Sequence, residues 1–208
     1  MVTALYIPHK FAKKYLQLMK RTLYVLGLGV FGIATTEFGV IGILPQIAAT
    51  FRISIDKAGW LLSSFALIIA FSAPFLMLLF FRMEQKKAMA LVLAVFSISN
   101  IISVGANSFC VLLLARMLPA FLHPVFWSIA LSTAANSVPA GERPKAIGIV
   151  FGGFTIASVL GVPLATYMAD LWNWRASFVL CAGINLLSFV GLLMLLPTLP
   201  LICRTSAE

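Results

Sequence analysis

Six apolar runs, each long enough to cross a bilayer and separated by short connectors, constrain this chain more than any other feature. A spanning helix takes roughly 20 apolar residues. The runs fall at 23–49, 58–81, 88–106, 109–138, 146–168 and 176–196. In hydrocarbon every backbone N–H and C=O needs a partner within the protein, so such runs fold as helices. Apolar residues make up 62% of the chain and charged ones 10%, too few polar side chains to cover a water-facing surface. A soluble domain, a disordered chain and a coiled coil are excluded. The expected fold is an all-α membrane protein of six transmembrane helices.

The run at 23–49 is too long for the apolar region of a signal peptide and lacks a small-residue cleavage pattern. It reads as a retained first span behind a basic segment, 1–22. A short tail, 197–208, follows the last span, where Pro197 and Pro200 are expected to stop the helix. With the N-terminus inside, Lys10, Lys13, Lys14, Lys20, Arg21, Arg82, Lys86, Lys87, Arg143, Lys145 and Arg204 fall in inner segments. Arg52, Lys57 and Arg175 fall in outer loops. Eleven against three matches the excess of basic residues in cytoplasmic loops and predicts both termini in the cytoplasm. The net charge of +9 therefore reads as a membrane signature, with no nucleic-acid partner. Cys110, Cys181 and Cys203 show no CxxC or Cys/His spacing, so no metal or cofactor is expected.

Two charged side chains lie inside the runs, Glu37 and Arg116. Glu37 is fourteen residues beyond Leu23, so roughly 21 Å into a ~30 Å core and about 9 Å from its outer face. Arg116 is seven residues past Phe109, roughly 10 Å from the same face. An ion pair or a shared water-filled cavity is expected, either as a structural tie between spans 1 and 4 or as part of a transport path. A carboxyl group in such a place can exchange a proton for a solute. His123 shares a helix face with Arg116, seven residues away. It reads either as a proton relay or as a neutral ring bonded to a backbone carbonyl freed by Pro124. Gly148, Gly152, Gly153, Gly161 and Pro163 in span 5, and Gly183 and Gly191 in span 6, read as close-packing positions and a kink. No nucleophile elbow, intramembrane aspartate dyad, H-E-x-x-H or nucleotide-binding loop occurs, so no enzyme is expected.

Four stretches together resemble a known family. They are Glu37-Phe-Gly-Val-Ile-Gly-Ile-Leu-Pro45, Ala115-Arg-Met-Leu-Pro-Ala-Phe-Leu-His-Pro-Val-Phe-Trp-Ser128, Gly161-Val-Pro163 and Trp172-Asn-Trp-Arg-Ala-Ser-Phe178. In order and spacing they resemble the drug/proton antiporter branch of the major facilitator superfamily, most of all bacterial sugar or arabinose efflux permeases. The loop Phe81-Arg-Met-Glu-Gln-Lys-Lys87 departs from the family's Gly-x-x-x-Asp-Arg-x-Gly-Arg-Arg pattern, while Arg82, Lys86 and Lys87 keep its charge.

The resemblance implies the N-terminal half of that fold, two three-helix inverted repeats, occupying 23–196. It implies proton-coupled efflux of sugars or small drug-like solutes across a bacterial inner membrane. Glu37 would bind the proton, Arg116 would tune it and His123 would line the cavity. Gly161 and Pro163 would form the span-5 motif, and Arg82, Lys86 and Lys87 the inner-loop motif. The implied partners are a small-molecule substrate, protons and lipid, with a second six-span half or a second copy. The length implies a fragment, the product of a truncated or frameshifted gene, or a half that pairs. The competing expectation is a six-helix membrane protein that transports nothing.

Overall fold

A computed structural model describes residues 9–80 and 83–196, with side chains from residue 21 onward except Met77. Arg82 and the tail at 197–208 lie outside the described residues. Among the described residues the structure is helical throughout, with six helices long and apolar enough to cross a membrane.

Helix α1 (His9–Phe38) runs unbroken from the basic segment into span 1. It stops before Gly39, passes through a 3-10 turn at Ile41–Ile43, and resumes as α2 (Leu44–Phe51) with Pro45 in its first turn. Proline suits that place because its missing N–H would have no helical partner there. Span 2 is α3 (Ile55–Phe80), capped by Ser54, whose hydroxyl accepts the Lys57 N–H at 3.2 Å. This cap starts the helix three residues ahead of the apolar run. Span 3 is α4 (Gln85–Val104) and span 4 is α5 (Phe109–Asn136), the latter capped by Ser108. Span 5 is α6 (Arg143–Ile156), a π turn at Ala157–Gly161, and α7 (Val162–Leu171). The π turn arises beside Pro163, which has no N–H to continue the α pattern. Span 6 is α8 (Trp174–Leu195), capped by Asn173.

Span 1 packs on spans 5 and 6, span 4 packs on spans 2 and 3, and spans 3 and 6 pack on each other. Exchanging 1 with 4, 2 with 5 and 3 with 6 leaves those main pairings unchanged, although spans 5 and 6 also pack on each other where spans 2 and 3 barely meet. The chain is thus two like triplets. Three crossings per triplet bring the second into the bilayer from the opposite side, an inverted repeat.

Close approach of spans 1 and 5 rests on glycine. A Cβ on Gly153 would lie 2.0 Å from the Gly27 carbonyl oxygen, and one on Gly161 would lie 2.3 Å from Thr35 Oγ1. The other span-5 and span-6 glycines behave differently. Gly148, Gly152 and Gly183 have nothing within 4 Å of that position, and Gly191 meets only Leu28 at 4.0 Å. Gly148 and Gly183 are exposed, Gly152 lines a cavity between spans 1 and 5, and none of the four is a close contact within this chain.

Pro119 removes the N–H that would have bonded the Ala115 carbonyl. Ser99 of span 3 supplies the missing donor, its hydroxyl 2.7 Å from that oxygen. A packed neighbour thereby restores a bond that hydrocarbon cannot.

Candidate functional site: a buried acid, imidazole and guanidinium

The break in span 1 creates the site. Helix α1 ends at Phe38, so the carbonyls of its last turn lack helical partners. Gly39 N–H reaches the Thr35 carbonyl at 2.8 Å. The Arg116 guanidinium takes the next two, with NH1 3.1 Å from the Thr36 carbonyl and NH2 3.2 Å from that of Glu37. Arg116 is 2% exposed and lies between the rings of Phe65 and Phe178, 5.4 and 5.9 Å from their centroids. Its depth matches that of Glu37, but it spends its donors on backbone oxygens rather than on the carboxylate.

The carboxylate meets His123 instead. Glu37 Oε2 is 3.1 Å from His123 Nε2, with side-chain exposures of 16% and 11%. The same nitrogen lies 3.0 Å from Trp127 Nε1, which donates to it. His123 therefore bonds side chains from two helices and not the carbonyl freed by Pro124. Phe65 closes one edge of the imidazole at 6.0 Å. Trp127 continues into an aromatic group with Phe151 at 5.3 Å and Phe154 at 6.0 Å, and Phe154 meets Phe38 edge-on at 5.8 Å.

Thr36 joins two further spans. Its hydroxyl accepts from Asn100 Nδ2 at 3.1 Å and from Asn185 Nδ2 at 2.8 Å. Asn185 also donates to the Gly32 and Cys181 carbonyls at 3.2 and 2.8 Å. Thr36, Asn100 and Asn185 were passed over in the sequence because they carry no charge. Amide side chains inside apolar runs were nonetheless the signal, since each needs partners in hydrocarbon.

The remaining motif residues lie apart from this cluster. Gly161 presses on Thr35 beside the π turn, and Pro163 opens α7. Lys86 Nζ donates to the Leu193 carbonyl at 2.9 Å and to that of Leu196, capping the end of α8. Lys87 pairs with Glu84 at 3.2 Å in an exposed position. At the opposite end of the bundle Arg175 donates to the Val104 and Ala106 carbonyls at 2.9 and 2.8 Å, stacked 4.3 Å over Trp174. Arg116, Lys86 and Arg175 thus each close the C-terminal end of a helix other than their own, where carbonyls are unpaired and the helix dipole is negative.

An apolar cavity of about 370 Å³ opens between spans 1 and 5, lined by Tyr24, Leu28, Phe31, Ile149, Gly152 and Ile156 among others. Glu37 and His123 are not part of it. Among the described residues no three His, Cys, Asp or Glu side chains gather as metal ligands.

Two inverted triplets that bury an acid–imidazole contact and a guanidinium where their first helices meet define a multi-pass membrane protein with the architecture of secondary transporters. The chain belongs to the Major Facilitator Superfamily, whose family model matches residues 26–201. It is 36% identical over 175 residues to the inner membrane transport protein YdhP of Escherichia coli, covering 84% of this chain and 45% of that one. It is 34% identical over 188 residues to a "Probable sugar efflux transporter" of Helicobacter acinonychis, covering 90% and 48%. The chain spans about half the length of the curated relatives it matches. Among solved structures, a peptide transporter bound to alafosfalin superimposes with a TM-score of 0.72 at 12% identity, over 84% of this chain and 37% of that one. A bacterial homologue of the human lysosomal transporter Spinster, inward-facing and unoccupied, gives 0.67 at 21% identity, over 90% and 44%. These two likenesses concern the fold.

Proposed function

We propose that this chain is the N-terminal half of a proton-coupled exporter of sugars or small drug-like solutes in a bacterial inner membrane. Both termini lie in the cytoplasm, and 23–196 is the transport domain. Glu37 takes up and releases the coupled proton, His123 shares it, and Arg116 holds the broken end of span 1 in register. Gly161 and Pro163 let span 5 bend beside the site. Arg82, Lys86 and Lys87 form the inner-loop element, of which Lys86 caps the end of span 6. The partners are the solute, protons, lipid and a second six-span unit.

The 3.1 Å contact between Glu37 Oε2 and His123 Nε2 carries this reading. Ionisable side chains are costly inside a bilayer, and persist there where they move protons or solutes. A buried carboxylate whose neighbour is itself titratable can gain and lose a proton, whereas one locked to a guanidinium is held charged. The sugar efflux relatives support the substrate class.

The test is solute efflux driven by a pH gradient in proteoliposomes carrying this half joined to a complementary six-span half. Glu37→Gln abolishes pH-driven efflux while solute exchange persists. Efflux with an unchanged pH dependence overturns the assignment.

A further inference from the structure

His123 Nε2 has two polar neighbours and can satisfy one. Glu37 Oε2 lies 3.1 Å away and the Trp127 indole N–H points at it from 3.0 Å. A ring nitrogen either carries a hydrogen and donates, or presents a single lone pair and accepts. With a hydrogen, Nε2 suits the carboxylate but meets the indole N–H head to head. Bare, it accepts from the indole but sets its lone pair against a carboxylate oxygen. A protonated Glu37 brings a second donor to a lone pair the indole already uses. In no protonation state are both contacts good.

We propose that Trp127 is the positioning residue that reads the proton held between Glu37 and His123. This rests on Glu37 as the proton carrier. When a proton from water lies between Oε2 and Nε2, the acid–imidazole pair closes and the indole loses its acceptor. When the proton leaves, the indole closes on Nε2 and the carboxylate is freed. One N–H or O–H bond forms or breaks in each step, and no electrons are exchanged with another species. His123 Nδ1 is buried without a hydrogen-bond partner. The switch requires that Nδ1 carry the ring hydrogen in the emptied state, so that Nε2 is the nitrogen that gains and loses the proton.

The output has a direction. Trp127 packs against Phe151 and Phe154 of α6, just ahead of the π turn at Ala157–Gly161 where span 5 already departs from a regular helix. Release of the indole changes the packing on that helix. The charged and titratable groups that bear on the imidazole are few. Span 1 presents Glu37, and its own helix carries Arg116, held on carbonyls. Span 2 presents the Phe65 ring, and span 5 presents Phe151 and Phe154 through Trp127. Span 6 brings the Cys181 thiol to the Thr35 carbonyl, two residues before Glu37.

The experiment compares two readouts over pH on the 208-residue chain in lipid nanodiscs. Nitrogen-15 shifts of the imidazole report where the His123 protons are. Tryptophan emission, less that of the Trp127→Phe variant, reports Trp127. The expected result is that both move together, with one midpoint. If the imidazole titrates while the Trp127 emission stays constant, the switch is overturned and proton carriage by the pair stands. If neither titrates, the reading of Glu37 as proton carrier falls with it. The nitrogen shifts of the unaltered chain need no variant, so a Trp127→Phe protein that loses helicity by circular dichroism leaves a decisive measurement. A bare Nε2 that accepts at high pH supports the switch, and one protonated at every pH overturns it.

Discussion

Arg116 holds Glu37 by its backbone: the guanidinium NH2 is 3.2 Å from the Glu37 carbonyl oxygen, while the Glu37 carboxylate turns to His123. The positive charge in span 4 thus acts as a cap for a helix that ends inside the membrane.

A cap and an ion pair predict different mutant cycles. Arg116→Ala leaves two buried carbonyls without donors, a cost of about 1–3 kcal/mol for each. Adding Glu37→Gln leaves both carbonyls stranded, so the hydrogen-bond cost of Arg116→Ala is not recovered. Thermal unfolding in detergent, followed by circular dichroism, reads the four proteins of the cycle. Rescue in the double variant would restore the ion-pair view.

The serine that mends the Pro119 gap yields a second cycle. Ser99→Ala strands the Ala115 carbonyl and costs about 1–3 kcal/mol. In a Pro119→Ala background residue 119 has its N–H back, and the same serine change becomes nearly neutral. Equal losses in both backgrounds, measured by the same unfolding assay, would show that the serine does something else.

Two glycines of one helix separate by their surroundings. Gly153→Ala drives a methyl into the Gly27 backbone, so spans 1 and 5 must part at about 1–3 kcal/mol. Gly148→Ala meets nothing and gains about 0.5–1 kcal/mol from lower chain entropy in the unfolded state. Unfolding midpoints that shift in opposite directions are the expected outcome.

Adjacent lysines of the inner loop differ as well. Lys86→Met uncaps α8 and speeds hydrogen exchange in the last turn of that helix, at about 1 kcal/mol of local stability. Lys87→Met, which removes an exposed pair with Glu84, leaves exchange unchanged. Hydrogen exchange read by mass spectrometry over 188–196 distinguishes them.

The spans were legible because hydrocarbon imposes a length and an apolar composition that few other folds share. Glu37 and Arg116 stood out because charge is rare there, and helical rise placed them at one depth. What their depth could not tell was which atoms would meet. The partners Arg116 found are carbonyls exposed by the end of α1, and backbone groups leave no trace in a sequence. Pro45 and Pro163 announced irregularity in spans 1 and 5, but a kink, a 3-10 turn and a π turn carry the same sequence signature. The choice among them depends on how Thr35 and Gly161 pack. Ser54 or Asp56 was legible as a cap for span 2, and Ser54 fills that place, starting the helix ahead of its apolar run.

The exchange symmetry of the two triplets has a consequence for how such a site can arise. Spans 1 and 4 occupy equivalent places in the two triplets, yet one carries the acid and the other the imidazole, the indole and the guanidinium. Chemistry assembled this way belongs to neither triplet. A lone triplet would hold a base without its acid, or an acid without its base.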